Sequence, residues 1–243
     1  EAVAAEVYEQ GQWQSLTRWL DALPAEVREA HPTLQVWRAK ICVEMEDLDE
    51  ALRLLHAACQ ALRQSAGHRQ TLATALVERG SVRNLVGDHQ GALEDCREVL
   101  AMGEPIDPRT IAIVHRVMGT SYLGLGDLAM AAAELEQSLA LSRAAGYNEH
   151  EGCLYHNLGA TYELIGDIET AAACFQQALS YYETARRPWA LANTLNSIGV
   201  SQYHRGDYDS AQQALQRALD LAHRAGYART EAYTLASLGD LHR

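Results

Sequence analysis

The sequence predicts an all-α fold built from stacked helix pairs, and three observations support this prediction. First, a pattern of two glycines, the second followed by aspartate, recurs at steps of 39 or 40 residues, as in the stretch GATYELIGD. A fixed period of this length is typical of stacked-repeat proteins. Second, apolar residues after each turn recur at helical spacing. Third, alanine is abundant and β-branched runs are few, which favours helix over strand. The first glycines of the copies are Gly80, Gly119, Gly159, Gly199 and Gly239.

The second glycine and the aspartate of each copy predict the end of one helix and the start of the next. In the copy that begins at Gly159, Gly166 can adopt a positive φ after the first helix. Asp167 then caps the second helix, which we expect to extend to about residue 186. We predict that Gly159 faces Ala171 where the two helices cross, because a side chain at this position would push the helices apart. The short turn makes the two helices antiparallel.

The period divides the chain into about six helix pairs and one unpaired terminal helix, in a single helical-repeat domain over residues 1–243. The Pro-containing stretch GEPIDPRT, residues 103–110, is interpreted as an inter-repeat turn, with a hinge or a functional loop as the alternatives. Trp13, Trp19 and Trp37 are expected in the core of the N-terminal helices. The predicted repeats are approximately 1–32, 33–66, 68–102, 108–144, 148–186, 188–225 and, in part, 228–243.

One pattern within the repeats resembles a known family. Residues 159–178 carry G-x-x-Y…A-x-x-x-F-x-x-A, which resembles the tetratricopeptide repeat. The resemblance implies a right-handed superhelix in which the first helix of each pair lines a concave groove. The period of about 40 residues exceeds the 34 residues usual in that family. We therefore expect each repeat to have longer helices than usual.

A second resemblance concerns residues 11–55. The run Arg18-Trp19-Leu20, then Leu23-Pro24, then His31-Pro32, followed by D-x-x-E-A-x-x-L-L, is similar to the start of the helical-repeat domain in maltose-activator-like, LuxR-type bacterial transcription regulators. That resemblance implies an ATPase module before the repeats and a helix-turn-helix domain after them. This chain contains neither G-x-x-x-x-G-K-[ST] nor a basic recognition helix.

Composition excludes several classes of function. The net charge is −12 and no basic stripe occurs, which argues against direct nucleic-acid binding. No apolar run is long enough to span a membrane, and five scattered cysteines indicate reduced thiols in a cytoplasmic protein. Because Glu1 is not an initiator methionine, we expect a segment of a longer protein. No catalytic motif and no cofactor motif is present, so we predict that the segment is not an enzyme.

One histidine-rich stretch, HEGCLYHN, could suggest a metal site. His150, Cys153 and His156 share one helix face, and their side chains are types that bind zinc. His150 and His156 are separated by about 9 Å along a helix axis, which is too far for both to reach one ion easily. We therefore interpret these residues as an edge histidine, a packed cysteine and a groove-facing histidine, and we predict no metal site.

The family's ligand-facing positions, carried over residue by residue, fall on a polar wall of the first helices. These positions hold Asn, His, Tyr and Arg, whereas the solvated faces of the chain use Glu, Gln and Arg. Asn157 is at the centre of the wall, and its amide can both donate and accept hydrogen bonds. The alternative is an inner wall of solvated polar residues without a ligand. The predicted ligand-binding residues are Asn84, Arg116, Thr120, His156, Asn157, Glu163, Asn193, Asn196, Tyr203 and Tyr233.

Two functions follow from these observations. The first is a regulatory repeat domain of a bacterial transcription activator, which binds an inducer or partner in its groove and controls assembly. The alternative is a peptide- or protein-binding adaptor unrelated to transcription. The occupant of the groove is a protein, a peptide or a small-molecule inducer. A further expectation concerns the terminal helix, whose Tyr233, Leu235 and Leu238 lack a covering helix, so that it either associates with another molecule or frays.

Overall fold

The glycine-aspartate turns predicted from the sequence are present in the structure. In this computed structural model, Gly166 has φ of +92° after the first helix of its repeat, and the Asp167 carboxylate accepts a hydrogen bond from the Thr170 amide at 3.1 Å. Positive φ is costly for residues with a Cβ atom, so glycine suits this position. The aspartates that cap a helix by accepting from the amide three residues later are Asp47, Asp88, Asp167 and Asp207.

The structure describes residues 7, 13–24, 26–27, 31–65, 67–103 and 105–241, and within them it is all-α, as predicted. Residues 1–6, 8–12, 25 and 28–30 of the predicted repeat 1–32 lie outside the described residues. None of the described helices combines the length and apolarity needed to cross a membrane. The helices are α1 (Trp13–Ala22), α2 (Pro32–Glu44), α3 (Leu48–Gln64), α4 (Arg69–Leu85), α5 (His89–Ala101), α6 (Pro108–Leu125), α7 (Leu128–Ala144), α8 (Glu151–Ile165), α9 (Ile168–Thr184), α10 (Pro188–His204), α11 (Tyr208–Ala225) and α12 (Ala228–Leu241).

The chain divides into two compact units, Glu1–Asp127 and Leu128–Arg243. In the first, α4 packs against α3, α5 and α6 around a core that extends from Val36 to Met118. In the second, α8 packs against α7 and α9, and α10 packs against α9, α11 and α12. The predicted repeat 108–144 consists of α6 and α7, which belong to different units.

At the crossings of Gly159 and Gly199, the glycine faces a bulky side chain of the second helix. A Cβ atom at Gly199 would lie 2.6 Å from Leu215 Cγ and 3.2 Å from the Ala211 carbonyl oxygen. At Gly159 the nearest atom would be Phe175 Cδ1, at 2.7 Å, rather than an atom of Ala171. The crossing was therefore predicted correctly, but its contact at Gly159 is with the ring one helical turn beyond the expected alanine.

The N-terminal helices differ from the prediction at one tryptophan. Trp13 and Trp37 are partly buried and pack against a cluster that contains Leu16 and Leu20. Trp19 is 52% exposed, so its predicted place in the core is wrong. Leu16 and Leu20 are four residues apart and take the buried face of α1, which turns Trp19 outward.

The loop before α6 is held by a side chain of α4. Gln70 accepts a hydrogen bond from the Asp107 amide at 2.9 Å and donates to Thr110 Oγ1 at 2.8 Å. Asp107 also caps α6 by accepting from the Arg109 amide at 2.9 Å. These contacts favour an anchored inter-repeat turn at residues 107–110.

Candidate binding surface on the first helices

The ten predicted ligand-binding residues, which we call the first-helix surface, lie on α4, α6, α8, α10 and α12. Asn84, in the first unit, serves the internal structure of that unit. Asn84 Nδ2 donates to the Val117 carbonyl at 3.0 Å, and Asn84 Oδ1 lies 2.9 Å from Ser121 Oγ and 3.0 Å from His89 Nδ1. Asn84 therefore joins α4 to α6, and its amide is occupied by contacts within the unit.

Arg116 and Thr120 lie on α6. Arg116 Nη2 approaches Ser81 Oγ at 3.5 Å, and Arg116 Nε is buried without a hydrogen-bond partner. Thr120 Oγ1 donates to the Arg116 carbonyl at 2.9 Å. The Arg116 guanidinium thus has one N–H donor, at Nε, without an acceptor among the described residues.

In the second unit, His156 lies between α8 and α10. Thr194 Oγ1 donates to the Ala190 carbonyl at 2.9 Å, so its oxygen is left to accept from His156 Nδ1 at 3.1 Å. The imidazole also meets the edge of the Phe175 ring, at 5.9 Å between centroids. Burial disfavours the charged imidazole and lowers the pKa of His156 to about 4. His156 is therefore a neutral contact between neighbouring repeats.

The histidines of the HEGCLYHN stretch point to different partners. His150 Nε2 lies 3.0 Å from the Tyr147 hydroxyl, whereas His156 is engaged by Thr194. Cys153 Sγ accepts from Asn157 Nδ2 at 3.7 Å. Among the residues that the structure describes, no group of three or more His, Cys, Asp or Glu side chains is arranged to hold a metal ion.

Two acceptors of the first-helix surface are buried without a donor. Asn196 Oδ1 has no hydrogen-bond partner, and neither has Glu163 Oε1, although His204 Nδ1 lies 3.7 Å from it. Leaving a buried polar atom unpaired is costly, so such atoms point to a missing partner. In contrast, Asn193 Oδ1 accepts from Thr230 Oγ1 at 3.0 Å, which joins α10 to α12.

Of the two aromatic members of the surface, Tyr203 is half-buried and Tyr233 is exposed. Tyr203 makes tilted ring contacts with His204 and Tyr208, at 5.7 and 5.9 Å between centroids. Tyr233 is exposed, and the Arg229 guanidinium lies 5.6 Å from its ring centroid. In total, six of the ten predicted residues lie on α8 and α10 of the second unit, and one lies on α12.

The structure also shows positions that sequence reasoning missed. Leu164, His204 and Tyr208 lie beside predicted residues but were not selected, and the neighbouring Gly-Asp turns were the signal that could have found them. A separate cleft of about 350 Å³, outside the first-helix surface, is lined by Tyr155 of α8 and by Glu169, Thr170, Ala173, Cys174 and Gln177 of α9. Burial raises the pKa of the Cys174 thiol, which makes its reactive thiolate form less available.

Comparison with known families identifies the repeats. Two family models described as tetratricopeptide repeat match residues 109–184 and residues 191–225. The chain thus carries tetratricopeptide repeats over these residues, as the G-x-x-Y…A-x-x-x-F-x-x-A pattern predicted. Neither match includes residues 11–55, and no comparison supports the resemblance of those residues to transcription regulators. Among curated proteins, none matches this chain in sequence.

Solved structures show the same kind of helical architecture. BtubC (BKLC) from P. vanneervenii is 20% identical with a TM-score of 0.62, over 80% of this chain and 85% of that one. The Rap conjugation gene regulator of plasmid pLS20, solved with the Phr* peptide, is 17% identical with a TM-score of 0.72, over 88% of this chain and 60% of its own. A Rap protein complexed with Competence and Sporulation Factor is 11% identical with a TM-score of 0.69, over 98% and 72%. At these identities the likeness concerns the fold alone.

Proposed function

We propose that the second unit is a non-catalytic module that binds a peptide or protein segment on the first-helix surface of α8, α10 and α12. The observation that carries the proposal is the pair of buried acceptors without donors, Glu163 Oε1 and Asn196 Oδ1. A peptide supplies backbone N–H donors at regular intervals, which suits acceptors spread over neighbouring helices. The Phr* peptide bound to the Rap conjugation regulator shows that one protein of similar fold takes a peptide.

This proposal favours the adaptor function over the transcription-regulator function. The regulator function rests on the residues 11–55 resemblance alone, and the family matches begin only at residue 109. The parent gene would separate the two functions, since an ATPase module upstream and a helix-turn-helix domain downstream would support the regulator. A cytoplasmic setting is part of the same proposal, and none of the five cysteines forms a disulfide.

The test selects peptides from a displayed random library with the whole chain and measures their affinities by calorimetry. Asn196→Ala and Asn157→Ala should weaken the selected peptides by up to about a hundredfold, because each variant removes one or two hydrogen bonds. Gln177→Ala is the matched control, since it removes an amide from the α9 cleft instead. Unchanged thermal melts will show that the variants are folded. If no peptide is selected, or if only Gln177→Ala weakens binding, the proposed function is wrong.

A further inference from the structure

The ends of α8 and α10 form an exposed apolar and aromatic patch, which we call the α8–α10 edge. It consists of Glu163, Leu164 and Ile165 on the last turn of α8, Tyr203 and His204 at the end of α10, and Tyr208 at the start of α11. Leu164 is 64% exposed, Ile165 47% and Tyr208 59%. Large apolar side chains that cluster at this exposure indicate an interaction surface more often than isolated ones do.

Side-chain contacts join the two halves of the edge. The Tyr203 ring contacts both His204 and Tyr208, and His204 Nδ1 approaches Glu163 Oε1 at 3.7 Å. That separation is too long for a hydrogen bond, so the Glu163 oxygen keeps no donor. A carboxylate oxygen that lacks a donor thus lies 3.7 Å from a histidine that contacts the Tyr203 ring, and the exposed Leu164 and Ile165 follow it on the same helix.

The surroundings of the edge are acidic. Residues 160–170 and 200–210 contain five carboxylates, Glu163, Asp167, Glu169, Asp207 and Asp209, and one guanidinium, Arg205. The whole chain carries a net charge of −12. A cationic partner would therefore be attracted to this end of the unit and an anionic one repelled.

We infer that the segment bound by the second unit is basic and apolar, with a lysine or arginine next to a large aliphatic or aromatic side chain. This inference rests on the proposed function and names its partner class. The cationic group pairs with Glu163 and lies against the rings of Tyr203 and Tyr208, since tyrosine faces attract cations. The neighbouring apolar side chain covers Leu164 and Ile165 and removes their exposed surface from water.

The experiment titrates the whole chain into three short fluorescein-labelled peptides and follows anisotropy. The first peptide consists of lysine and leucine, the second has glutamate in place of lysine, and the third has serine in place of leucine. The lysine–leucine peptide should bind at least about tenfold more tightly than either of the others. Its affinity should fall as ionic strength rises towards the physiological value, because exposed charge pairs are screened.

Variants locate the binding. Glu163→Gln and Leu164→Ser should each weaken the lysine–leucine peptide by about five- to tenfold. The matched controls are Asp220→Asn, which removes one negative charge from α11, and Met130→Ser, which removes an exposed apolar side chain from α7. Both controls should leave the affinity unchanged. Equal binding of the lysine and glutamate peptides, or equal losses in the controls, would overturn the inference.

Different results would contradict the proposed function and this inference. A library-selected peptide that is neutral or acidic and depends on Asn196 would leave peptide binding standing while overturning the basic-apolar partner. Loss of binding in Asn196→Ala and in Glu163→Gln, for a selected peptide with adjacent basic and apolar residues, would support both.

Discussion

Glycines at equivalent positions in the repeats meet different surroundings. A Cβ atom at Gly159 would lie within 2.7–3.0 Å of three Phe175 ring atoms, and that ring is buried. A Cβ atom at Gly239, in the last helix, would meet nothing within 4 Å. The same residue type is thus required at one repeat by a close helix crossing and is only tolerated at the other.

Gly159→Ala should therefore destabilise the protein, and Gly239→Ala should stabilise it. Overpacking against Phe175 costs about 1–3 kcal/mol, which exceeds the gain of about 1 kcal/mol in helix propensity. At Gly239 only the propensity gain remains, about 0.5–1 kcal/mol. Chemical denaturation of both variants beside the parent measures the free energy of unfolding. A shift of the free energy of unfolding in the same direction for both variants would refute this explanation of the recurring glycine.

His156 makes stability depend on pH. Its folded-state pKa of about 4 lies below the ordinary value of about 6.5, so the unfolded chain takes up a proton first as pH falls. Its contribution is complete above about pH 6.5 and is lost as pH falls towards 4. The loss in the free energy of unfolding amounts to about 3 kcal/mol, at 1.36 kcal/mol per pKa unit.

The measurement compares urea midpoints at pH 7 and pH 4.5 for the parent and for His156→Asn. Asparagine stands at the equivalent position of the next repeat, Asn196, so the substitution suits the fold. The variant should lose less stability between these pH values than the parent, because the other titrating groups are common to both. Equal losses in the two proteins would show that another group dominates.

At the scale of the element, the α4–α5 pair is held by a buried ion pair that has no counterpart at the equivalent positions of the other described repeats. Arg79 and Asp95 have side chains that are 6% and 2% exposed, with Nη2 to Oδ1 at 2.6 Å and Nε to Oδ2 at 3.0 Å. Arg83 Nη1 also approaches Asp95 Oδ2 at 3.1 Å. The equivalent pairs in the later repeats are Met118 with Glu134, Leu158 with Cys174 and Ile198 with Ala214.

Removing one partner of this ion pair should lower the free energy of unfolding more than replacing both partners with apolar residues. Arg79→Leu alone should destabilise the protein by about 3–5 kcal/mol, because Asp95 stays buried with fewer partners. Arg79→Leu with Asp95→Ala should recover most of that loss, because it introduces an apolar contact like those of the repeats that begin at Gly159 and Gly199. Denaturant unfolding of the single and double variants checks this. A double variant as unstable as the single would show that packing, rather than the lone buried charge, causes the loss.

For the whole molecule, a chain of repeats is stabilised mainly by contacts between neighbouring helices, so its stability varies along its length. Helix α10 packs against α8, α9, α11 and α12, whereas α12 has contacts with α10 and α11 among the described helices. Tyr233 and Leu235 of α12 are exposed. The terminal helix therefore has less cover than α10.

Hydrogen exchange should follow this difference. In dilute protein, the amides of α12 should exchange faster than those of α10, because fewer contacts must open. Slow exchange of α12 is expected only if the chain associates, which light scattering on the same sample would show. Slow exchange of α12 in a strict monomer would contradict the expectation.

Local chemistry in the sequence determined the repeat period, the positions of the described helices and the turns between them. Gly166 and Asp167 illustrate this, because a left-handed glycine and an N-cap aspartate act within a few residues of the chain. The tetratricopeptide pattern was readable for the same reason.

Tertiary structure alone decided how the polar side chains of the first helices are used. Asn84 joins α4 to α6, His156 bonds to Thr194, and Glu163 is left without a donor beside His204. These outcomes depend on which residues of neighbouring repeats face each other. The repeat pattern in the sequence does not specify that pairing, because it is nearly the same in every repeat. The exposure of Trp19 and the α8–α10 edge have the same cause, since burial is set by packing between helices rather than by the residue itself.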